Sequence, residues 1–416
     1  MIFRLVSSQL LRTLHCVIQI ILQKQRKKAL TSAKSPFHMS QVLKIFVSEK
    51  KYIVFESCLD ELLTKYNKCT KSDHCDAPII SFEKVTTGCL LKVYTICEQN
   101  HKCLVWRSQP LIGKRSIGNI LASAGILFSG SHYAKINEYF KLIGVPFISK
   151  SSHYMYQKYF LFPVIDVHYK KEQKKIIDNV KAKAICLTGD GQCDSPGFCA
   201  KYCTYTFIDY NTKKILDFSL IQVSEATSSV AMEKQAFTRC IDKLIADGLI
   251  IRIIATDRHV CIRKVMRERY PQINHQFDIW HYCKSMTKKL QNLAKKKSLS
   301  ELAPWTTSIV NHMWSCSSFC KGDPEVLRER WRSLLRHVLN EHCWESNGEQ
   351  KRCDHATIPE NEDWLKRHTP AHNKLIEFVT NKRMDRELPH LTYFCHTGDL
   401  EVYHSMILKY RPTLHC

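Results

Sequence analysis

The order of apolar runs after residue 184 constrains the fold more than any other feature of the chain. Residues 184–190 (AICLTGD) form a short apolar run that ends in an acid. Residues 202–209 (YCTYTFID) are β-rich, Tyr210-Asn211-Thr212 supplies a turn, and residues 215–223 (ILDFSLIQV) return as a partner strand. Residues 229–247 read as a helix, with Phe237, Ile241, Leu244 and Ile245 on one face and Gly248 where a helix would stop. Residues 249–256 (LIIRIIAT) make another apolar strand, again closed by an acid, Asp257. A helix over 260–269, a short strand near 274–277 and a basic helix from 281 follow.

The order is therefore β-β-β-α-β-α-β-α. Three strands before the first helix predict an antiparallel meander, and the alternation after it predicts parallel additions to the same sheet. Such a mixed sheet occurs in ribonuclease H-like folds. Residues 297–398 break the alternation with helical signals at 326–338 and 373–381, and read as a mostly helical insertion. The expected class is α/β: a core begun at 181–296, interrupted by 297–398, and closed by a final helix within 399–416.

The chain ahead of this core divides into three. Residues 1–45 form a poorly defined basic tail, in which Lys24, Arg26, Lys27 and Lys28 could serve as a nuclear address. Residues 5–22 are apolar but broken by Arg12, and the uninterrupted piece 14–22 is short of the roughly 20 residues that span a bilayer. No signal peptide or membrane partner is expected. Residues 46–110 hold a helical segment (Tyr52, Ile53, Phe55, Leu59, Leu62, Leu63) and then a Cys/His-rich stretch with strand character at 90–96. Residues 111–180 read as helical pieces of a DNA-binding or linker region. Ile117, Ile120, Leu121, Ala124 and Leu127 keep helical spacing there, and Pro146 and Pro163 punctuate it.

Asp190 and Asp257 close predicted strands, where α/β sites form, and Glu401 opens the final helix. Carboxylates brought together repel one another unless divalent cations lie between them, and oxygen ligands suit Mg²⁺ or Mn²⁺. Asp194 competes with Asp190 as the first acid, since a strand continuing through Gln192 would turn both to one face. Asp278-x-x-His281 is either a supporting pair near the metals or a helix cap and its neighbour.

Two sets carry metal-ligand spacing. Cys69-x5-Cys75 and Cys97-x3-His101 resemble a zinc ribbon, with Cys103 open as an alternative to His101 and His74 nearby. His337-x4-His342 and Cys353-x-His355 could pin the insertion with a structural zinc, with Cys343 as a rival ligand. Cys316 and Cys320 are expected to be core thiols. Cysteine in a chain with a sizeable core points to a reduced setting.

The charge balance narrows the partner. Lys and Arg number 62 against 39 Asp and Glu, a net +23 that favours a polyanion. Residues 281–300 hold six Lys and no acid; on a helix Lys284, Lys288 and Lys295 share one face and Met286, Leu290 and Leu293 another. Phosphate contact is the expectation for that basic face.

The ordered run DGQCDSPG (190–197), AKYCTYTFID, LDFSLIQV, AMEK (231–234), ATDRH (255–259), HQFDIWH (275–281) and LEVYHS (400–405) resembles the Kolobok group of DDE-type transposases over roughly residues 50–416. The resemblance implies a ribonuclease H-like core interrupted before its catalytic Glu. It implies Asp190, Asp257 and Glu401 as catalytic acids holding two Mg²⁺ or Mn²⁺ ions, and metal-dependent cleavage and joining of DNA. It also implies double-stranded DNA as partner, a homodimer or larger assembly, and the nucleus. The alternative is a domesticated or decayed copy that binds DNA without cutting it.

Overall fold

The computed structural model describes residues 56–64, 68–69, 75–195, 199–346, 348–353 and 364–410. The basic tail with Lys24, Arg26, Lys27 and Lys28, the residues Tyr52, Ile53 and Phe55, and His74 and His355 lie outside them. Two compact bodies divide the chain, one up to Glu172 and one from Gln173 to Leu408.

The first body opens with α1 (Glu56–Leu63) and a three-stranded antiparallel sheet in the order β1 (Ile79–Thr87), β2 (Leu90–Cys97), β3 (Lys102–Arg107). Leu59 and Leu63 of α1 bury against Val93, with Phe82, Leu91, Val105 and Trp106 around them. This is a small core. A two-residue hairpin, β4 (Leu111–Ile112) and β5 (Arg115–Ser116), leads into α2 (Ile117–Ser129), α3 (Tyr133–Leu142), α4 (Lys150–Tyr156) and α5 (Phe162–Val180), whose residues from Gln173 on belong to the second body. The helical spacing read at 117–127 is present, and Ile120 and Ala124 enter the core with Ile148, Tyr156, Leu161 and Val164. Pro163 does not end its helix. A π-turn at Gln157–Leu161 precedes it, so the helical run passes through a residue that cannot donate a backbone bond.

The second body holds a five-stranded mixed sheet in the order β10-β9-β6-β7-β8. Its strands are β6 (Ala184–Cys193), β7 (Tyr202–Asp209), β8 (Ile215–Gln222), β9 (Ile250–Thr256) and β10 (Asn274–Phe277). β6, β7 and β8 form the antiparallel meander, and β9 and β10 add in parallel beside β6. The class is α/β with a mixed sheet. α6 (Ser229–Ala246) follows β8 and α7 (Val260–Arg269) follows β9. Phe237, Ile241 and Leu244 of α6 are fully buried against Leu187, Tyr205, Phe207 and Ile254 of the sheet. Ile245, expected on that face, is 39% exposed. Gly248 ends α6 at φ +84°.

After β10 the chain runs into α8 (Ile279–Ala294) and then the region read as an insertion. It is mostly helical: α9 (Trp305–Phe319), α10 (Pro324–His337), α11 (Pro370–Val379) and α12 (Lys382–Glu387). It also carries a hairpin in a stretch with few strand signals, β11 (Cys343–Ser346) with β12 (Glu349–Arg352). Its core is continuous with α8: Ile279, Tyr282, Met286 and Leu290 pack in one cluster with Trp305, Met313, Trp331 and Leu375. Cys316 and Cys320 are buried, as expected of core thiols. The final helix, α13 (Gly398–Leu408), returns to β6. No helix among the described residues is long and apolar enough to cross a membrane.

Candidate functional site

The central strand β6 runs three residues past the apolar segment that predicts it. Asp190 is therefore inside the strand rather than at its end, because pairing with β7 continues through Cys193. The parallel register pairs Thr188 with Ala255, and two more residues along each chain bring Asp190 level with Asp257, just beyond β9. Glycines flank Asp190 for a steric reason. A Cβ on Gly189 would lie 2.6 Å from the Phe207 ring, and one on Gly191 would lie 2.8 Å from Cγ of Glu233.

Glu233, on the first turns of α6, thereby becomes a third carboxylate at this place. Burial and then the charges of Asp257 and Asp190 push its pKa up to about 8. Burial also raises Asp257; the His259 N–H that its Oδ1 accepts at 3.0 Å works against this, and the Asp190 charge adds to it. Nothing in the helical periodicity of 229–247 marks Glu233. The only available signal was its place in the AMEK run.

Glu401 arrives on α13. One turn further on, His404 is 6% exposed and holds Nδ1 3.4 Å from Oδ2 of Asp190. His281 Nε2 lies 3.6 Å from Oε1 of Glu401, and its charge acts on Asp257. His259 Nε2 lies 3.8 Å from Oε2 of Glu233. Three imidazoles thus each face one acid. Asp190, Asp257 and Glu401 do not place ligand atoms within 4.8 Å of one another; among the described residues only the two Cys/His sets below do.

The two alternatives left by the sequence separate on hydrogen bonding. Asp194 Oδ1 accepts the backbone N–H groups of Lys201 and Tyr202 at 2.9 and 3.2 Å, so it closes the β6–β7 turn. Asp278 is the N-cap of α8, where its Oδ1 accepts from His281 N at 2.8 Å. Its Oδ2 accepts the Thr397 N–H at 2.5 Å and also the Thr397 hydroxyl. One buried carboxylate therefore fixes the helix bearing His281 and the start of the helix bearing Glu401. Cys186 of β6 and Cys395 meet at 3.6 Å between sulfurs, a second tie between the sheet and the same segment.

The pKa of Glu233 predicts a pH dependence. The folded state holds this proton to about pH 8, whereas an unperturbed Glu releases it near pH 4.5. Between these values the native state binds more protons than the unfolded state, so stability falls as pH rises. Without added divalent metal, the melting temperature is expected to drop by several degrees between pH 5 and pH 8. Glu233→Gln flattens that slope; an unchanged slope in the variant would refute this origin.

Cys69, Cys75, Cys97 and His101 bring their ligand atoms within 4.8 Å of one another, so His101 rather than Cys103 completes the set. Cys97 ends β2 and His101 precedes β3, while the Cys69 N–H bonds to Ala77 O and so holds the first arm close. Cys69 Sγ is 3.9 Å from His101 Nδ1. Three thiols and one imidazole form a soft, closed donor set that fits Zn²⁺. In the insertion, His337, His342 and Cys353 form a second set, with Cys353 Sγ 3.7 Å from His337 Nδ1. Cys343 is exposed and outside it.

The basic helix starts at Ile279 rather than 281 and ends at Ala294, so Lys295 is its C-cap. Lys284, Lys288 and Lys295 are exposed, and Met286 and Leu290 are buried. Lys284 Nζ sits 4.1 Å above the Trp280 ring. In comparisons with known proteins, no protein-family model matches the chain and no curated protein matches it significantly.

Proposed function

We propose that the chain is a DDE-type DNA transposase of ribonuclease H-like fold, related to the Kolobok group, that cuts DNA and joins its 3′ ends. The observation that carries this reading is the meeting of Asp190 and Asp257 at the sheet edge. The helix bearing Glu401 returns to that edge after a helical insertion. Asp190, Asp257 and Glu401 would hold two Mg²⁺ or Mn²⁺ ions. Oxygen donors fit hard cations, and the burial and mutual repulsion that raise Asp257 are what a cation relieves. When bound, such ions activate a water or 3′-hydroxyl and stabilise the leaving oxygen.

The rest falls to the protein. His281 and His404 sit beside Glu401 and Asp190 and can hold or release a proton at Nε2 and Nδ1. The exposed Lys284, Lys288 and Lys295 give phosphates a cationic face. Zinc at Cys69, Cys75, Cys97 and His101, and at His337, His342 and Cys353, would be structural. The reading carries a nuclear location and an assembly of two or more copies, since two DNA ends must be held together.

Asp190, Asp257 and Glu401 do not close into one set of ligand atoms within 4.8 Å, and this favours a second reading, a DNA-binding protein without catalysis. A cleavage and strand-transfer assay on DNA carrying the flanking terminal repeats separates them. Products that require Mg²⁺ or Mn²⁺ support the transposase. Tight DNA binding without any product supports the second reading and overturns the first.

A further inference from the structure

Beside α8, between it and helices α11 and α12, lies a pocket of about 200 Å³ that the acids do not use. Its apolar side is made by Tyr282, Met286, Phe378 and Met384, two rings and two thioethers. Its polar side is made by Arg258, Lys289, Arg383 and Ser285. Arg258 is the residue after Asp257, so the pocket begins one residue from the proposed site.

The charge of the pocket is organised around Glu387, whose side chain is 3% exposed. Its two oxygens bind Arg258 Nη1 at 3.1 Å, Arg263 Nη1 at 3.4 Å and Arg383 Nε at 3.1 Å. One carboxylate thus fixes three guanidiniums. Lys289 stands beside them, exposed, with no carboxylate partner among the described residues. Among the residues that line the pocket the balance is three cations, Arg258, Lys289 and Arg383, against one anion, Glu387. A buried acid that serves only as a counter-ion does not need three arginines, whereas an arginine already oriented loses little freedom when it meets a phosphate.

An apolar wall of rings and thioethers facing fixed cations matches a ligand with a flat, poorly hydrated part and an anionic part. We propose that this pocket binds a nucleotide. Its phosphate meets Arg258, Lys289 and Arg383, and its base lies against Phe378 and Met384, while the buried Tyr282 backs the Arg258 guanidinium 4.8 Å above its ring. The base can belong to an unpaired stretch of a strand or to a free nucleotide, which offer the same chemistry. The strand as source rests on the transposase reading; the pocket itself does not.

The test uses the full chain in zinc-replete buffer without Mg²⁺ or Mn²⁺, so binding is read with no cleavage. The probe is a duplex with a short single-stranded extension carrying 2-aminopurine, followed by fluorescence and anisotropy. Stacking of the base changes its fluorescence, and an abasic residue at the same place is expected to weaken binding at least about tenfold. Two variants separate charge from space: Lys289→Glu reverses the unpartnered cation, and Ser285→Phe fills the pocket without changing charge. Both are expected to lose the 2-aminopurine signal.

Competition by dAMP alone shows that a free nucleotide suffices. Competition only by unlabelled strand assigns the pocket to the nucleic acid. If the abasic probe binds as tightly as the parent probe, or if Ser285→Phe keeps the full signal, the proposal falls. Cleavage activity is scored separately. A chain that binds the base but never cuts DNA keeps the pocket and loses the transposase reading, and the reverse result does the opposite.

Discussion

Asp257→Asn is expected to leave the protein folded and to lower Mg²⁺-dependent DNA cleavage by at least about a thousandfold. The substitution keeps the shape of the side chain and removes only the charge. Asp257 follows β9 and lies level with Asp190 across the parallel pair, so no other acid on β9 can replace it. Its raised pKa means that the charged form is disfavoured by the protein alone. The variant without added divalent metal is therefore expected to melt at the same temperature as the parent or higher. Lost activity together with kept stability distinguishes a metal-binding acid from a structural one. Asp194→Asn supplies the contrast. Its carboxylate closes the β6–β7 turn, so the variant is expected to lose stability while retaining measurable cleavage. Cleavage that survives Asp257→Asn at the parent rate would remove the site from this sheet edge.

Cys97→Ser is expected to have the largest effect on folding. The sheet it serves rests on Leu59, Leu63 and Val93 and a few half-buried neighbours, and β1 leaves Ile80 58% exposed. Such a core is too small to hold three strands by burial alone. A closed zinc site contributes on the order of 10 kcal/mol to folding in small metal-bound modules. Loss of one thiolate is expected to cost the metal and, with it, the sheet. Bound zinc measured on the purified chain would fall by one equivalent, and amide protection across β1–β3 would vanish while protection in β6–β10 persists. Cys103→Ser, outside the set, would keep the parent zinc content. A Cys97→Ser protein with unchanged zinc and unchanged protection would show that the four side chains are neighbours and nothing more.

Which parts of this arrangement the sequence revealed follows from what a linear pattern can carry. Apolar alternation and its breaks place β7, β8 and β9 nearly to the residue, because each is rich in Ile, Leu, Tyr or Phe and bounded by turns, whereas β10 (Asn-His-Gln-Phe) is marked by its place in the α/β alternation. Ligand spacing singles out Cys69, Cys75 and Cys97 but leaves His101 and Cys103 open, and the fold of the β2–β3 hairpin brings His101 to the other three. The extension of β6 through Gly191, Gln192 and Cys193 is not visible in composition. It arises from pairing with β7, a contact between distant segments. Glu233 is hidden for the same reason: on its helix it is one polar residue among several, and only the crossing of α6 over the sheet brings it beside Asp257 and Asp190. The β11–β12 hairpin is short and built from Cys-Trp-Glu-Ser and Glu-Gln-Lys-Arg, residues with no strand alternation.

The bond from Asp278 to Thr397 has a further meaning. It closes a loop of 119 residues that contains the whole insertion. The entropy of closing such a loop rises only slowly with its length, so a long insertion is tolerated, but the closure is made only while the enclosed segment keeps its shape. Glu401 is thus held in place by the insertion's stability as well as by its own helix. Local melting of that segment would leave α13 to its direct ties with the sheet, among them Cys395 to Cys186 and His404 to Asp190. Under the transposase reading, a metal held by His337, His342 and Cys353 would steady that segment and so favour the placement of Glu401 beside the other two acids without touching any of them.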